Sequence, residues 1–454
     1  METIIVIVFF IGYLAITLEH NLKIDKLIPA LAMMALLWAI IALTHMPVFE
    51  VNTDLKELEP THLDEILLHH LGKTAEILVF LLGAMTIVEI IDYFDGFATI
   101  KGYIKTRSKR KLLWLFSLLA FVLSAIIDNL TATIVLVTIL QKVIKDRETR
   151  LWFAGMIIIG ANAGGAWSPI GDVTTTMLWI ANKVTATQLI EHVLLPSIVC
   201  MVVPVLFASR YKAFAGKIDM EMNDELPKSK YGASMLYLGL GAIIFVPFFK
   251  TITHLPPYVG MMLSLAIVAT FAEIYSSSKF SISNVDSDNS DAASHHSPVH
   301  KSLSKIELPS ILFFLGILLA VAALGSLGML FHFAEYLDAS MPPLGTEARV
   351  GIVSDLVVLI LGVGSAVIDN VPLVAASMGM FSVPIDDPVW HFIAYSAGTG
   401  GSMLIIGSAA GVVAMGMEKI DFFWYLKKIA WLAFLGFIGG SAAFVLMRNL
   451  VLNV

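Results

Sequence analysis

The seven residues at positions 124–130, SAIIDNL, recur at positions 365–371 as SAVIDNV. Five of the seven are identical, and the two copies stand in different halves of a 454-residue chain. Each copy interrupts an apolar run, 112–140 or 351–383, that is too long for one comfortable membrane crossing and too short for two. An aspartate at the centre of a bilayer costs about 2.5–3.5 kcal/mol on insertion scales. Two of them at matching positions therefore indicate that the charge is used.

The composition of the chain predicts an all-α polytopic membrane protein. Hydrophobic residues make up 57% of the sequence and charged residues 14%, whereas a soluble domain averages about 25% charged residues. Apolar stretches of about 20 residues, the length needed to cross the hydrocarbon layer, recur from end to end. The composition excludes a soluble globular protein. We expect the lipid bilayer as its environment and no nucleic-acid partner.

The charges that flank the two interrupted runs predict that each run returns to the side from which it enters. Basic residues mark the cytoplasmic loops of membrane proteins, and they crowd both sides of run 112–140, within 101–111 and 142–150. Run 351–383 is flanked mainly by acids, and no Lys or Arg occurs between positions 349 and 419. We therefore predict two re-entrant hairpins, the first entering from the cytoplasm and the second from outside. Such backbone is tolerated at membrane depth only where protein or a cavity surrounds it.

Threading the other apolar runs through these hairpins gives about ten transmembrane helices plus two re-entrant hairpins, with both termini outside. Each half then contains three spans, a hairpin and two spans. An odd number of crossings per half turns the copies upside down, which is the pattern of two inverted repeats found in many secondary transporters. We predict a first repeat over 1–209, a cytoplasmic linker over 210–230 and a second repeat over 231–454. Within the second repeat, the serine-rich segment 276–307 is predicted to be a disordered loop.

The hairpin tips carry the residue types that a hard cation binds. A tip exposes helix ends whose amides and carbonyls lack intrahelical partners, and Asp128, Asn129 and Thr131 add oxygen ligands to the first tip. Asp369 and Asn370 repeat the acid and the amide in the second tip. The alternative is that Asp-Asn only caps the broken helices, but Asn or Ser would cap a helix without the cost of a charge.

Each hairpin is followed by a Gly-rich interruption, 160–176 in the first half and 398–408 in the second. Gly and Pro inside a span free backbone groups that a cavity or a neighbouring helix must satisfy. The alternative is close helix packing through small residues. Asn162 and Asp172 favour a functional role for the first interruption, whereas the second contains no acid. We therefore expect the ion chemistry to depend mainly on Asp128, Asn162 and Asp172.

Two other charged residues lie near the ends of predicted spans. Glu89, in the 74–92 span, is interpreted either as a candidate for a proton path or as an interface charge. Lys26 lies in a short loop, and we expect its side chain to be solvated. Charged side chains near helix ends commonly reach the membrane interface.

The tips, the segment GANAGGAWSPIGDVTT at 160–175 and the segment FLLGAMT at 80–86 resemble the NhaD-type sodium/proton antiporters of the ion transporter superfamily. The resemblance implies antiport of Na⁺ or Li⁺ against H⁺, no cofactor and no enzymatic activity. It also implies a homodimer, elevator-like movement of the hairpin domain against a scaffold, and a location in a bacterial inner membrane. The functional positions that it implies are Asp128, Asn129, Thr131, Asn162, Asp172, Ser365, Asp369 and Asn370.

Two alternative functions compete with cation exchange. The same superfamily includes dicarboxylate and citrate carriers of similar layout, which carry neutral Ser-Asn-Thr tips that grip the carboxylates of the substrate. An aspartate at each tip would repel a dianion, and this charge favours a cation as cargo. Paired buried aspartates also occur in intramembrane aspartyl proteases, but such an enzyme needs two acids facing one water and has no need for duplicated tips.

Competition between an ion and a proton for one carboxylate is the hypothesis for the mechanism. Removal from water disfavours the charged form of an acid, so Asp128 or Asp172 would hold a proton at low pH and bind Na⁺ at higher pH. One carboxylate cannot bind both ions well, and carrying each in turn gives exchange.

Overall fold

The structure is a computed structural model of the chain. It describes residues 1–17, 22–52, 57–102, 104, 106–218, 231–283, 297–306, 308–340, 353–367 and 369–449. The helices of the first half are α1 (Glu2–Thr17), α2 (Leu27–Leu43), α3 (Leu63–Tyr93), α4 (Ala98–Lys101), α5 (Lys109–Ile127), α6 (Asn129–Val143), α7 (Arg147–Gly165), α8 (Val173–Ile180) and α9 (Ala186–Ala208). Those of the second half are α10 (Gly232–Thr253), α11 (Pro257–Ser283), α12 (Pro298–Leu303), α13 (Leu308–Ser326), α14 (Met329–Ser340), α15 (Asp355–Gly364), α16 (Asn370–Met380), α17 (Pro388–Gly400), α18 (Ala409–Glu418), α19 (Phe422–Lys428) and α20 (Ala430–Met447).

The helices confirm an α-helical multi-pass membrane protein. Within the described residues, seven helices are long and apolar enough to cross a membrane. They are Leu63–Tyr93, Lys109–Ile127, Ala186–Ala208, Gly232–Thr253, Pro257–Ser276, Leu308–Ser326 and Ala430–Met447. Other apolar helices, such as Leu27–Leu43, are shorter. One element was not predicted: strands β1 (Val48–Asn52) and β2 (Glu57–Thr61) form a small antiparallel sheet before α3.

Both interrupted apolar runs are helix–turn–helix units that break at the SAxIDN sequence. In the first, α5 ends at Ile127 and α6 begins at Asn129. In the second, α15 and α16 have 10 and 11 residues, which at a rise of 1.5 Å per residue gives each about half the thickness of a bilayer core. The arms of the first unit are longer, 19 and 15 residues. A re-entrant path stays a prediction for both units.

The two Gly-rich interruptions break their spans in the same way. Residues 166–172 separate α7 from α8, and residues 401–408 separate α17 from α18. A Cβ added at Gly164 would overlap the carbonyl oxygen of Phe121, and one added at Gly400 would overlap that of Gly362. These two carbonyls belong to α5 and α15, at matching positions before the SAxIDN copies. Glycine thus lets each broken span lie directly on its hairpin.

The other long helices pack around this pair of units. Helix α9 lies along α20, whose Gly436 faces the carbonyl of Cys200. Helix α2 lies along α13, where Gly316 faces the backbone of Ala30. Helix α13 in turn contacts α16 and α3, so it connects the α1–α2 pair to the second hairpin.

One predicted segment differs in part from the structure. Parts of the segment 276–307 that was predicted to be disordered are helical, because α11 continues to Ser283 and α12 covers Pro298–Leu303. Residues 284–296 lie outside the described residues. In the predicted linker 210–230, Lys212–Phe214 form one 3₁₀ turn, and 219–230 also lie outside the described residues.

Candidate ion-binding site

The first hairpin tip holds Asp128 in a backbone conformation that is rare for any residue except glycine. Its φ is 85° and its ψ is 160°, a region that costs about 1–3 kcal/mol for other residues and is found mainly at functional sites. The carboxylate accepts hydrogen bonds from the Thr131 backbone N–H at 2.7 Å and from the Thr131 hydroxyl at 3.0 Å. The first tip therefore folds its carboxylate back onto its own helix.

A chain of buried amides continues from this tip into the second half of the protein. Asn129 Nδ2 donates to Asn162 Oδ1 at 3.1 Å, and Asn162 Nδ2 donates to Ser408 Oγ at 2.9 Å. Ser408 is the N-cap of α18 and accepts from the N–H of Gly411. The first tip is thus tied to the broken span of the second half.

Asp172 receives the corresponding contact from the second tip. Asn370 Nδ2 donates to Asp172 Oδ2 at 2.9 Å, and the Thr174 hydroxyl donates to the same oxygen at 2.8 Å. Asp172 is 3% exposed, and a buried carboxylate needs such hydrogen bonds to stay charged. The second tip therefore contacts the broken span of the first half directly, and the first tip is linked to the broken span of the second half through Asn162.

The link from Asn370 to Asp172 is direct, whereas the link from Asn129 to Ser408 has one additional side chain, Asn162. Ser408 follows Gly398 by the same number of residues as Asp172 follows Asn162. In the second half, Gly398 leaves no amide at that position, and a Cβ added there would lie 3.8 Å from Asp172 Oδ2. The glycine lets Asn370 reach Asp172 directly, whereas Asn129 reaches Ser408 only through Asn162.

Asp128 and Asp172 line one small cavity of about 20 Å³. The rest of its lining is one threonine, Thr176, and the apolar side chains of Phe80, Leu81, Ala84, Met85, Ile126, Ile127, Ile170, Val173, Ile243 and Met261. A cavity needs about 10–15 Å³ to hold a water, so this one has room for a single water-sized species. In transporters, unwound backbone carbonyls and the C-terminal ends of half-helices coordinate Na⁺, and Asp128 and Asp172 add carboxylate oxygens beside such breaks. Glu89 is half-buried on the same helix as Met85 and is not part of this lining.

Ser365 packs the second hairpin against its broken span. Its hydroxyl donates to the carbonyl of Ala397 at 2.7 Å, and the matching Ser124 donates to the carbonyl of Ala161 at 2.6 Å. Both side chains are fully buried. These contacts assign Ser365 to packing in this structure, and its predicted role as an ion ligand stays a prediction.

Asp369 has a different environment from Asp128. Its backbone has ordinary dihedrals, φ −44° and ψ 138°, and its side chain makes no capping hydrogen bond to α16. Asp369 Oδ2 lies 3.4 Å from Lys26 Nζ, and that ammonium also lies 4.5 Å from the centre of the Phe313 ring. The expectation that Lys26 is solvated is therefore wrong, because its ammonium is half-buried against a predicted site residue.

Three residues of the site were not predicted from the sequence to belong to it. Thr174 and Ser408 both lie within the Gly-rich interruptions, and their polar side chains at a helix start were the available signal. Lys26 gave no signal of its own, because its partner is 343 positions away. Within the described residues there is no group of three or more His, Cys, Asp or Glu side chains that could hold a metal ion.

Broken spans that bring acids and amides together inside a helical membrane protein define a secondary transporter. The chain belongs to the transporter family described as "Citrate transporter" (CitMHS), whose family model matches residues 5–387. It is a transporter and not an enzyme, and the resemblance to the NhaD-type antiporters is confirmed by its relatives.

Two relatives are named sodium/proton antiporters, and one solved structure has a similar fold. It is 41% identical over 452 residues to "Sodium/proton antiporter 1" of Arabidopsis thaliana, covering 98% of this chain and 72% of that protein. It is 31% identical over 439 residues to "Na(+)/H(+) antiporter NhaD" of Vibrio cholerae, covering 93% and 87%. The fold is similar to that of the Alcanivorax borkumensis YdaH transporter, with a TM-score of 0.52 and 12% identity over 93% of this chain and 96% of that one.

Proposed function

We propose that this protein exchanges Na⁺ or Li⁺ for H⁺ across the membrane, with Asp128 and Asp172 as the exchanging carboxylates. The observation that carries the proposal is that these two acids line one cavity of about 20 Å³. The names of the relatives, sodium/proton antiporters from a plant and from bacteria, agree with this cargo.

The size and the charge of the cavity favour a cation over an organic anion, although the family description names citrate. A space for one water-sized species accommodates a small dehydrated cation and cannot hold a dicarboxylate. Two carboxylates on its wall attract a cation and repel an anion, and this force is strong where little water is present. The tips of this chain carry Asp128 and Asp369 where a neutral tip would suit an anion.

Exchange follows when Na⁺ and H⁺ compete for the same carboxylates. A charged Asp172 accepts from Asn370 and Thr174, and its carboxylate also lines the cavity where a cation would bind. A protonated carboxyl has one donor and less capacity as an acceptor, so it holds Na⁺ poorly. A site that is filled by either ion but not by both couples their movements in opposite directions.

The matched contacts of the two halves support the inverted-repeat architecture and the hairpin-based movement. In each half, a glycine of the broken span (Gly164 or Gly400) lies against a backbone carbonyl of the hairpin. A serine of the hairpin (Ser124 or Ser365) donates to a backbone carbonyl of the broken span. Each hairpin and its broken span would move as one body in an elevator-like step. We also expect a homodimer, and a bacterial inner membrane as the location. Since relatives include plant proteins as well as bacterial ones, the location stays a prediction.

Reconstituted protein tests the proposed exchange directly. Proteoliposomes that contain a pH-sensitive dye receive Na⁺, Li⁺, K⁺ or a dicarboxylate on the outside. We expect Na⁺ or Li⁺ to move protons outward, and we expect Asp128→Asn and Asp172→Asn to abolish that movement. Asp95→Asn, at an exposed aspartate outside the site, is the matched control. Proton movement with a dicarboxylate and none with Na⁺ or Li⁺ would overturn the proposal.

A further inference from the structure

The Lys26–Asp369 pair joins two distant parts of the chain. Lys26 precedes α2, whereas Asp369 is the acid of the second tip, and 343 positions separate them. The side chains of Lys26 and Asp369 are 23% and 16% exposed. A half-buried lysine is seldom placed without a partner, because removal of an ammonium from water is costly. The ring of Phe313, on α13, holds the same ammonium by a cation–π contact.

The sequence of the second tip explains why Asp369 is available to Lys26. Three residues after Asp128, Thr131 offers both an N–H and a hydroxyl to the carboxylate. Three residues after Asp369 stands Pro372, which has neither an N–H nor a hydroxyl. The carboxylate of the second tip therefore makes no capping bond to α16 and is oriented toward Lys26 instead.

The residue after Asp369 makes the contact that matters for the ion site. Asn370 donates to Asp172, so two adjacent residues of the tip are fixed at two different places, one by Lys26 and one by Asp172. We propose that Lys26 is a positioning residue of the ion site, which neutralises Asp369 and holds the second tip where Asn370 reaches Asp172. This inference rests on the proposed cation exchange at Asp128 and Asp172.

Neutralisation and positioning act together. Without Lys26, Asp369 would be a third carboxylate beside the two acids of the cavity, and like charges in a poorly solvated region repel. A buried charge that has lost its partner is strongly destabilising, and a movement of Asp369 toward water, which would relieve this cost, would withdraw the neighbouring Asn370 from Asp172. Lys26 touches neither Asp128 nor Asp172 in the contacts of the described residues, so its effect on Na⁺ passes through the tip.

The first test compares Lys26→Gln with Lys23→Gln in proteoliposomes. Lys23 is an exposed lysine in the same loop and serves as the matched control. We expect Lys26→Gln to raise the KM for Na⁺ about tenfold, the effect of losing one hydrogen bond to a charged group, with a smaller change in Vmax. Lys23→Gln should leave both constants unchanged. A normal KM in Lys26→Gln would overturn the inference.

A double-mutant cycle tests whether Lys26 acts through Asn370. If it does, Lys26→Gln has no further effect on the KM of an Asn370→Ala protein, because the contact that it positions is already absent. Full additivity of the two effects would show that Lys26 does not act through Asn370. Size-exclusion profiles and melting temperatures of all variants check that each is folded.

Chemical rescue separates the charge of Lys26 from its bulk. Cys200 is the single cysteine of the chain, so Cys200→Ala gives a background in which Lys26→Cys introduces one thiol. Alkylation with 2-bromoethylamine converts that thiol to an aminoethyl thioether with the length and charge of lysine, whereas iodoacetamide adds a neutral group. We expect only the amine to restore the KM. Equal rescue by both reagents, or by neither, would contradict a role for the charge.

The outcomes distinguish this inference from the proposed function. If Na⁺ and Li⁺ move no protons with the unmodified protein, the proposed exchange is wrong and the Lys26 variants have no baseline. If the unmodified protein exchanges Na⁺ and Lys26→Gln has the same KM, the exchange stands and the role of Lys26 is wrong.

Discussion

The two hairpin tips have the same Asp-Asn sequence and different partners. Asp128 has a backbone conformation that is normally reserved for glycine and accepts two hydrogen bonds from Thr131. Asp369 has ordinary dihedrals and pairs with Lys26. The residue three positions later, Thr131 or Pro372, determines whether the carboxylate can bond to its own helix. The two tips thus share a sequence, while one neighbouring residue gives their carboxylates different partners.

The parts that are alike are the contacts that hold each tip in place. Gly164 and Gly400 lie against the carbonyls of Phe121 and Gly362, and no side chain fits between them. We therefore expect Gly164→Ala and Gly400→Ala to prevent folding to a similar degree, because the clash in each case is with backbone and not with a flexible side chain. Yields of monodisperse protein and melting temperatures measure this. Gly416→Ala, where an added Cβ meets nothing within 4 Å, is the control that should fold normally.

A large difference between the halves in this experiment would contradict the matched packing. If Gly400→Ala folded well while Gly164→Ala did not, the second broken span would not be held as the first is. The different partners of Asp128 and Asp369 would then have a structural cause in addition to the chemical one.

The two tip acids should differ in how their Asn variants respond to Lys26→Gln. We expect this second substitution to restore exchange in part to Asp369→Asn and not to Asp128→Asn. We expect Asp128→Asn to lower exchange about 100-fold or more, because a charged ligand of the cation is removed and no other change can replace it. Asp369→Asn leaves the Lys26 ammonium unpaired, and Lys26→Gln in the same protein should recover part of the lost exchange. Replacing both partners of a buried pair is commonly less harmful than removing one. Initial rates of Na⁺-driven proton movement in proteoliposomes are measured for Asp128→Asn and for Asp369→Asn, each with and without Lys26→Gln.

Recovery of Asp128→Asn by Lys26→Gln would show that Lys26 serves both tips. Failure of the double variant to exceed Asp369→Asn would show that Asp369 binds an ion itself. Either result would replace the present assignment of different roles to the two tips.

Most of the fold could be predicted from the sequence, because the length of an apolar run and the basic residues that flank it are local signals. The breaks at Asp128 and at Asp369, and both Gly-rich interruptions, fall where the pattern predicted them. The small β1–β2 sheet and the helical ends of 276–307 were missed. Serine-rich composition predicts disorder on average, but it does not show where a preceding apolar helix such as α11 stops.

The site could be predicted only in part, since its decisive contacts are long-range. Asp128, Asn162 and Asp172 are polar residues at breaks in apolar runs, and this local feature was enough to select them as candidates. The link from Asn162 to Ser408 spans 246 positions, and nothing in either segment specifies the other. The pairing of Asp369 with Lys26 was missed for the same reason. Pro372 indicates that Asp369 has no hydrogen bond to that position of its own helix, but it does not predict which residue binds the carboxylate instead.

Transferring threonine to the second tip tests the residue that separates the two. Pro372→Thr supplies the N–H and the hydroxyl that bind Asp128 in the first tip. We expect Asp369 to turn partly toward its own helix, which weakens its pairing with Lys26 and raises the KM for Na⁺ about fivefold, within the range of one net hydrogen bond. Pro372→Ala restores the N–H without the hydroxyl and should have a smaller effect. Equal KM values for Pro372→Thr and the unmodified protein would mean that Asp369 stays paired with Lys26 even when its own helix offers an N–H and a hydroxyl.

The smallest expected effect comes from the reverse change in the first tip. Thr131→Val removes the hydroxyl that donates to Asp128 Oδ2 at 3.0 Å and keeps the backbone N–H that donates to Oδ1. One net hydrogen bond contributes about 0.5–1.5 kcal/mol, so we expect the KM for Na⁺ to rise about threefold with an unchanged Vmax. Thr131→Ser keeps the hydroxyl and should leave the KM unchanged. If Thr131→Val raised the KM about as much as Asp128→Asn lowers the rate, the hydroxyl would be a cation ligand in its own right and not only a support for the carboxylate.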